Sequence, residues 1–246
     1  AAFVLYFLRK KTELKVRLLS GEEIRDCGRR AKNIISLGTA GFIMQLTNSL
    51  VTICCNNVLS VTGGDLYISV MTIVSSIRQI IATPIHAITE GSSPVISYNY
   101  GARRPKRVFQ SWLTMSVMAI LYTLLALGVI LFAPRFLIGI FSSDQALITD
   151  AIPALKLYFG AFIFQALQYV GQTMFKSLGK KKFAIFFSLL RKVIIVVPLT
   201  YIFPYLVHMG SDEVFLAEPV SNVLGGSACF IVMLCTVMPE LKRMAK

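Results

Sequence analysis

The chain has 246 residues, 55% of them hydrophobic and only 15% charged, with a mean hydropathy of +0.69. Soluble globular domains carry about 25% charged residues, so an ordinary soluble domain is excluded and an integral membrane protein is indicated. The net charge of +13 does not point to nucleic acid, because the cations sit in a few blocks beside apolar runs and form no basic face interleaved with aromatics.

The opening AAFVLYFL (residues 1–8) is too short to span a bilayer and runs straight into Arg9, Lys10 and Lys11. It reads as the end of a preceding span in a longer protein, and residues 1–32 read as that end plus a basic interlobe linker with nine Lys or Arg. Ser20 followed by Glu23 fits a capping box leading into the next helix. Residues 33–246 read as a six-helix transmembrane lobe. From Asn33 to Gly64 no residue is charged, enough for the first full span and a short outer turn at Gly63 and Gly64. The second span opens at Asp65, carries Arg78 and ends in EGSSPVISYNYGARRPKRV. There Pro94 removes a backbone donor, so the helix bends or is re-satisfied by its neighbours. Gly101 is expected to take the left-handed conformation that closes the helix, ahead of Arg103, Arg104, Lys106 and Arg107.

A third charge-free run of 27 residues lies between Arg107 and Arg135. The fourth span is expected as one stretch over roughly residues 146–175, leaving at Lys176, Lys180, Lys181 and Lys182. The fifth covers about 183–207 and is interrupted by Arg191, Lys192, Pro198 and Pro204. The sixth covers about 214–237, with Glu218, Pro219 and the close-packing pair Gly225 and Gly226. Nine cations in the linker, four after the second span, four after the fourth and three in the tail make 20 of 25 at alternating junctions. The positive-inside rule places those junctions and the C-terminus in the cytoplasm, and six spans satisfy the parity.

Two polar stripes follow helical spacing. Gln45, Asn48 and Thr52 share one face of the first span, and Gln165, Gln168 and Gln172 one face of the fourth. Each stripe is either interhelical hydrogen-bond glue or the wall of a hydrated cleft. An ionisable group costs about 2.5 kcal/mol or more at the bilayer centre, so Arg78, Arg191, Glu90 and Glu218 should face protein, water or each other. Glu90 and Arg191 are expected near the cytoplasmic interface, where snorkelling relieves the cost. Glu218, a turn inside the outer end, is either a titrating carboxylate or the partner of a nearby cation. Prolines at 84, 94, 198, 204 and 219 suit helices bent around a cavity. The solitary His86 and His208 lack a metal or catalytic partner. Cys54, Cys55, Cys229 and Cys235 behave as small hydrophobes in apolar runs, and none of the five cysteines, Cys27 included, has metal-ligand spacing. No nucleophile elbow or phosphate loop is present, so nothing asks for an enzyme or a cofactor.

These residues carry a family resemblance. Leu37-Gly38, Phe42 to Gln45, Asn57, Gly63-Gly64-Asp65, Pro84-Ile85, Gly91 and Pro94 contribute to it. So do Tyr98-Asn99-Tyr100-Gly101-Ala102 before Arg107-Val108, then Leu190-Arg191 with Pro198, and Glu218-Pro219. Together they resemble the C-terminal half of a multidrug and toxic compound extrusion (MATE) transporter of the MepA-like branch. The resemblance implies one lobe of a twelve-helix, two-lobed exporter in a bacterial cell membrane. Such an exporter trades cationic amphipathic drugs for H+ or Na+ by rocking between inward-open and outward-open states. It implies membrane lipid around the lobe and a missing N-terminal lobe, or a second copy, beside it. Met44, Gln45, Asn48, Thr52, Gln165, Gln168 and Gln172 would line the central cleft, with Tyr98, Asn99, Gly101, Arg103 and Arg107 at the cytoplasmic gate. Glu90, Ser93 and Ser97 depart from residues frequent in the branch. Acidic residues that sodium-coupled relatives place on the first and fourth spans are glutamines here, which moves the coupling carboxylate to the absent lobe. Failing that, Glu218 and Glu90 are the candidates. A lipid-linked precursor flippase of similar architecture is the alternative within transport, and a non-transporting scaffold or receptor the alternative outside it.

Overall fold

A computed structural model describes residues 21–206 and 213–244, and every described element is helical. Residues 1–8, Ser20, His208 and the loop from Val207 to Asp212 lie outside the described residues. Two units divide the chain, Ala1–Gly41 and Phe42–Lys246. The described residues of the first all belong to the helix Gly21–Thr62, and the second holds the rest of that helix and every later element.

Five helices are long and apolar enough to cross a membrane: Gly41–Thr62, Gly64–Gly101, Pro105–Phe132, Lys181–Pro204 and Val214–Met244. The pair Gln145–Phe159 and Phe162–Ser177, bent by 46°, meets the same length and apolarity when taken together, and counted as one broken span it makes a sixth crossing. Helices are the expected solution, since in lipid each backbone N–H and C=O must be satisfied within its own segment. The break corrects the expectation of a continuous fourth span. At Gly160 and Ala161 the ladder tightens: Gly160 N–H donates to the Leu157 carbonyl at 3.1 Å and Phe164 N–H to the Ala161 carbonyl at 3.1 Å, both one residue short of the α-helical step. The prolines, by contrast, do not end helices. Pro84 and Pro94 lie inside the single helix Gly64–Gly101. In the fifth span Pro198 is preceded by a π-helical stretch, Leu190–Val196, where Val197 N–H donates to the Lys192 carbonyl five residues back. A second π-helical stretch, Asn222–Gly226, follows Pro219 in the sixth span.

The turn after the second span has a different hinge from the one the sequence suggested. Gly101 stays helical and Arg103 is left-handed, with φ 52°. Arg104 N–H donates to the Asn99 carbonyl at 2.9 Å and Arg103 N–H to the Tyr100 carbonyl at 3.0 Å, the paired bonds of a Schellman cap. The fourth span ends the same way around Gly179, φ 73°, through Lys180 to Phe175 at 2.8 Å and Gly179 to Lys176 at 3.0 Å. Only the second of these caps has the glycine that the geometry favours. A non-glycine residue in this region costs roughly 1–2 kcal/mol, so Arg103→Gly is expected to raise the unfolding free energy by about 1 kcal/mol in a denaturant titration in detergent.

The apolar interior forms two clusters. One gathers Leu59, Val70, Val74, Ile85, Phe159, Phe162 and Phe215 toward the end opposite the basic loops. The other gathers Ile96, Trp112, Met115, Val170, Met174, Phe187 and Cys229 toward the basic end. Along the fourth, fifth and sixth spans, Gln165, Gln168, Arg191, Lys192, Glu218 and Asn222 lie between the residues these clusters take, all buried. A polar layer therefore divides the lobe at mid-height.

Candidate functional site

The polar stripe of the first span reaches the surface. Gln45 and Thr52 are exposed and Asn48 is half-buried. Asn48 Nδ2 donates to Gln45 Oε1 at 2.8 Å and Thr52 Oγ1 to the Asn48 carbonyl at 3.1 Å. The Met44 side chain lies outside the described ones. The second span supplies the facing wall, which the sequence did not single out. Thr52 and Asn56 meet Met71, Thr72, Ser75, Ser76, Gln79 and Ile80 in a groove of about 410 Å3. Thr72 Oγ1 donates to the Ile68 carbonyl at 2.9 Å and Ser76 Oγ to the Thr72 carbonyl at 2.8 Å. Hydroxyl protons are thus spent on the helix itself, leaving oxygen lone pairs for the groove. The signal was legible: Thr72, Ser76, Gln79, Thr83, His86 and Glu90 recur at helical spacing along one face.

The fourth-span glutamines do not share that groove. Gln165, Gln168 and Gln172 are 1%, 3% and 3% exposed. Gln168 Nε2 donates to the Phe187 carbonyl and Gln172 Nε2 to the Ala184 carbonyl, each at 3.5 Å, tying the fourth span to the fifth. Gln165 Nε2 donates to the Tyr169 hydroxyl at 3.0 Å. The two stripes named from sequence are therefore not brought together: one lies on the lobe's surface, the other inside it.

The polar layer centres on an ion pair. Arg191 Nη1 donates to Glu218 Oε1 at 2.9 Å and to Asn222 Oδ1 at 2.5 Å, with Arg191 2% and Glu218 4% exposed. This overturns the expectation that Arg191 snorkels to the interface. Its partner lies 27 residues away on the neighbouring helix, and desolvation is met by pairing instead of escape. The pair sits where the two π-helical stretches pack, and Gly225 leaves the room: a Cβ there would lie 2.8 Å from both Cβ and Cγ of Arg191. Lys192 is also buried, and Arg191, Lys192 and Arg78 all act electrostatically on Glu218. Of the three, Arg191 is the one in ion-pair contact with the Glu218 carboxylate among the described residues. Cys55 Sγ lies 3.8 Å from Thr200 Oγ1 beside this layer.

At the basic end, Glu90 is exposed and pairs with Lys176. Ser93 and Ser177 hydroxyls are 2.8 Å apart and Ser97 Oγ donates to the Ser177 carbonyl at 3.0 Å. Glu240 accepts from both Tyr100 and Lys180. Asn99 is buried and donates to the Val95 carbonyl at 2.8 Å, while Tyr98, Gly101, Arg103 and Arg107 are exposed. The second, fourth and sixth spans are latched together here. His86, exposed one turn before Glu90, stacks on Tyr169 with ring centroids 4.4 Å apart. Among the described residues no group of three His, Cys, Asp or Glu is placed to hold a metal ion.

The described residues thus form a helical, membrane-type lobe with a polar surface groove and a buried ionic layer, and comparison identifies its family. The MatE family model matches residues 41–202, and the chain belongs to this family. The multidrug export protein MepA of Staphylococcus saprophyticus is 24% identical over 196 residues, which are 79% of this chain and 42% of that protein. Among solved structures, a MATE in complex with MaL6 is 22% identical and superposes with a TM-score of 0.84, over 98% of this chain and 54% of that one. An inward-facing multidrug resistance MATE family transporter is 21% identical, with a TM-score of 0.77 over 100% and 56%. The chain thus spans about half the length of the proteins it matches.

Proposed function

We propose that this chain is the second lobe of a multidrug exporter in a bacterial plasma membrane, with its C-terminus in the cytoplasm. It works beside a first lobe, or a second copy, and exports cationic amphipathic compounds by alternating access in exchange for H+ or Na+. The observation that carries the reading is the uncharged groove between the first and second spans. Oxygen acceptors from Thr52, Thr72 and Ser76 beside Asn56 and Gln79 suit a cation's positive edge, and Met71 and Ile80 beside them suit its apolar body. A flippase needs cations where a diphosphate would sit, whereas Arg191 and Lys192 are buried within the lobe. Of the two coupling candidates, Glu218 is held by Arg191 inside the lobe, while Glu90 is exposed to exchange.

The test is dye export by the full-length transporter carrying Asn56→Ala and Gln79→Ala, whose amides both line the groove. Losing one hydrogen bond costs about 1 kcal/mol, so each substitution should weaken apparent dye affinity about fivefold. Export of every dye at wild-type affinity in the double variant would reject the groove as substrate wall.

A further inference from the structure

The basic block after the second span does more than mark topology. Pro105, Lys106, Phe109, Met238, Leu241 and Lys242 line a groove of about 410 Å3 between the third and sixth spans. Against it, sharing Pro105 and Lys106, lies a second depression of about 420 Å3 formed by Arg103, Arg104 and Arg107 with Met244. Neither has a carboxylate in its wall. Glu240, which neighbours Leu241 in sequence, is occupied by Tyr100 and Lys180. The floor of the first groove is apolar, through Phe109, Met238 and Leu241, and its mouth carries two ammonium groups. A positive mouth over an apolar trough at the end of membrane helices matches one kind of molecule in shape and charge.

We propose that this paired groove is a binding site for an anionic glycerophospholipid of the leaflet that meets the basic end. An acyl chain lies along Phe109, Met238 and Leu241, and the phosphate is held by Lys106 and Lys242, with the arginine block extending the positive field. Basic pockets between membrane helices hold anionic headgroups in this way. A topological signal alone requires only the charges and leaves the apolar trough beneath them without a role. A free phosphate would gain nothing from that trough, which is why the lipid is the occupant. The site is separate from the substrate groove and independent of the transport reading.

The experiment is lipid binding to the full chain in a neutral detergent, followed by native mass spectrometry, with phosphatidylglycerol and phosphatidylcholine of identical acyl chains as probes. A surface cation contributes roughly 1 kcal/mol toward an anionic lipid. Phosphatidylglycerol should therefore bind at least about tenfold more tightly than phosphatidylcholine. Lys106→Gln or Lys242→Gln should each weaken it about fivefold, and the two together about thirtyfold. Met238→Trp, which fills the trough without changing charge, should also weaken it, while Arg135→Gln at the opposite end should not. Equal retention of the two lipids, or unchanged binding in the double lysine variant, would overturn the proposal. Displacement of the lipid by millimolar inorganic phosphate would overturn it too, and make this a simple anion site.

Discussion

Glu218→Gln is expected to be the most damaging single change in the polar layer. It removes the carboxylate that pairs with Arg191 and leaves Arg191, 2% exposed, as a buried cation whose remaining hydrogen bond among the described residues is to Asn222. Breaking a buried pair by removing one partner costs about 3–5 kcal/mol, because the remaining charge is uncompensated. The variant should yield little folded protein, and what folds should unfold several degrees earlier in detergent. A control separates charge from packing. Replacing Arg191, Lys192 and Glu218 together by apolar residues of similar length should recover most of that loss, since removing all the charges also removes their desolvation cost. If Glu218→Gln stays within about 1 kcal/mol of wild type, the carboxylate is not the counter-charge of this layer, and its coupling role regains force.

The sequence revealed spans more readily than partners, for a physical reason. A charge-free run such as residues 108–134 states its own environment, and the cation blocks state which ends are alike. Six crossings come from these alone, and the structure has five such helices and a sixth where the bent pair is counted as one span, with Gly63 and Gly64 at the turn between the first two as expected. What a polar side chain faces is decided elsewhere in the chain. Arg191 looked interfacial because it comes after Lys180, Lys181 and Lys182 on an otherwise apolar helix; its partner Glu218 belongs to the next span. The stripes at Gln45 and Gln165 look alike by spacing, yet one is exposed and the other buried, because periodicity gives a face without saying what covers it. Thr72, Ser76 and Gln79 were overlooked because serine and threonine in a membrane helix can satisfy themselves on their own backbone, as Thr72 and Ser76 do. The hinge at Arg103 instead of Gly101 is a difference of two residues within one correctly placed turn.

The second large effect is expected at Gly226. A Cβ built there would run into the carbonyl oxygen of Phe164, and lie 2.9 Å from its carbonyl carbon, on the backbone of the broken fourth span. At Gly225 the obstruction is Cβ and Cγ of Arg191 at 2.8 Å, a longer contact than the one at Gly226, although Cβ moves only with the Arg191 backbone. At Gly226 it is main chain, which moves only with its helix. Overpacking a fitted contact costs typically 1–3 kcal/mol and sometimes more. Gly226→Ala should therefore fall at or above about 3 kcal/mol, and Gly225→Ala below it. Gly128→Ala in the third span, where an added Cβ meets nothing within 4 Å, should be neutral or slightly stabilising, as helix propensity alone predicts. Unfolding midpoints of the three variants in one detergent check the order. If Gly226→Ala were as stable as Gly128→Ala, the sixth span would not approach the fourth this closely. The π-helical stretch at Asn222–Gly226 would then lose its explanation as the turn that brings Asn222 to Arg191 and the glycine pair to Arg191 and Phe164.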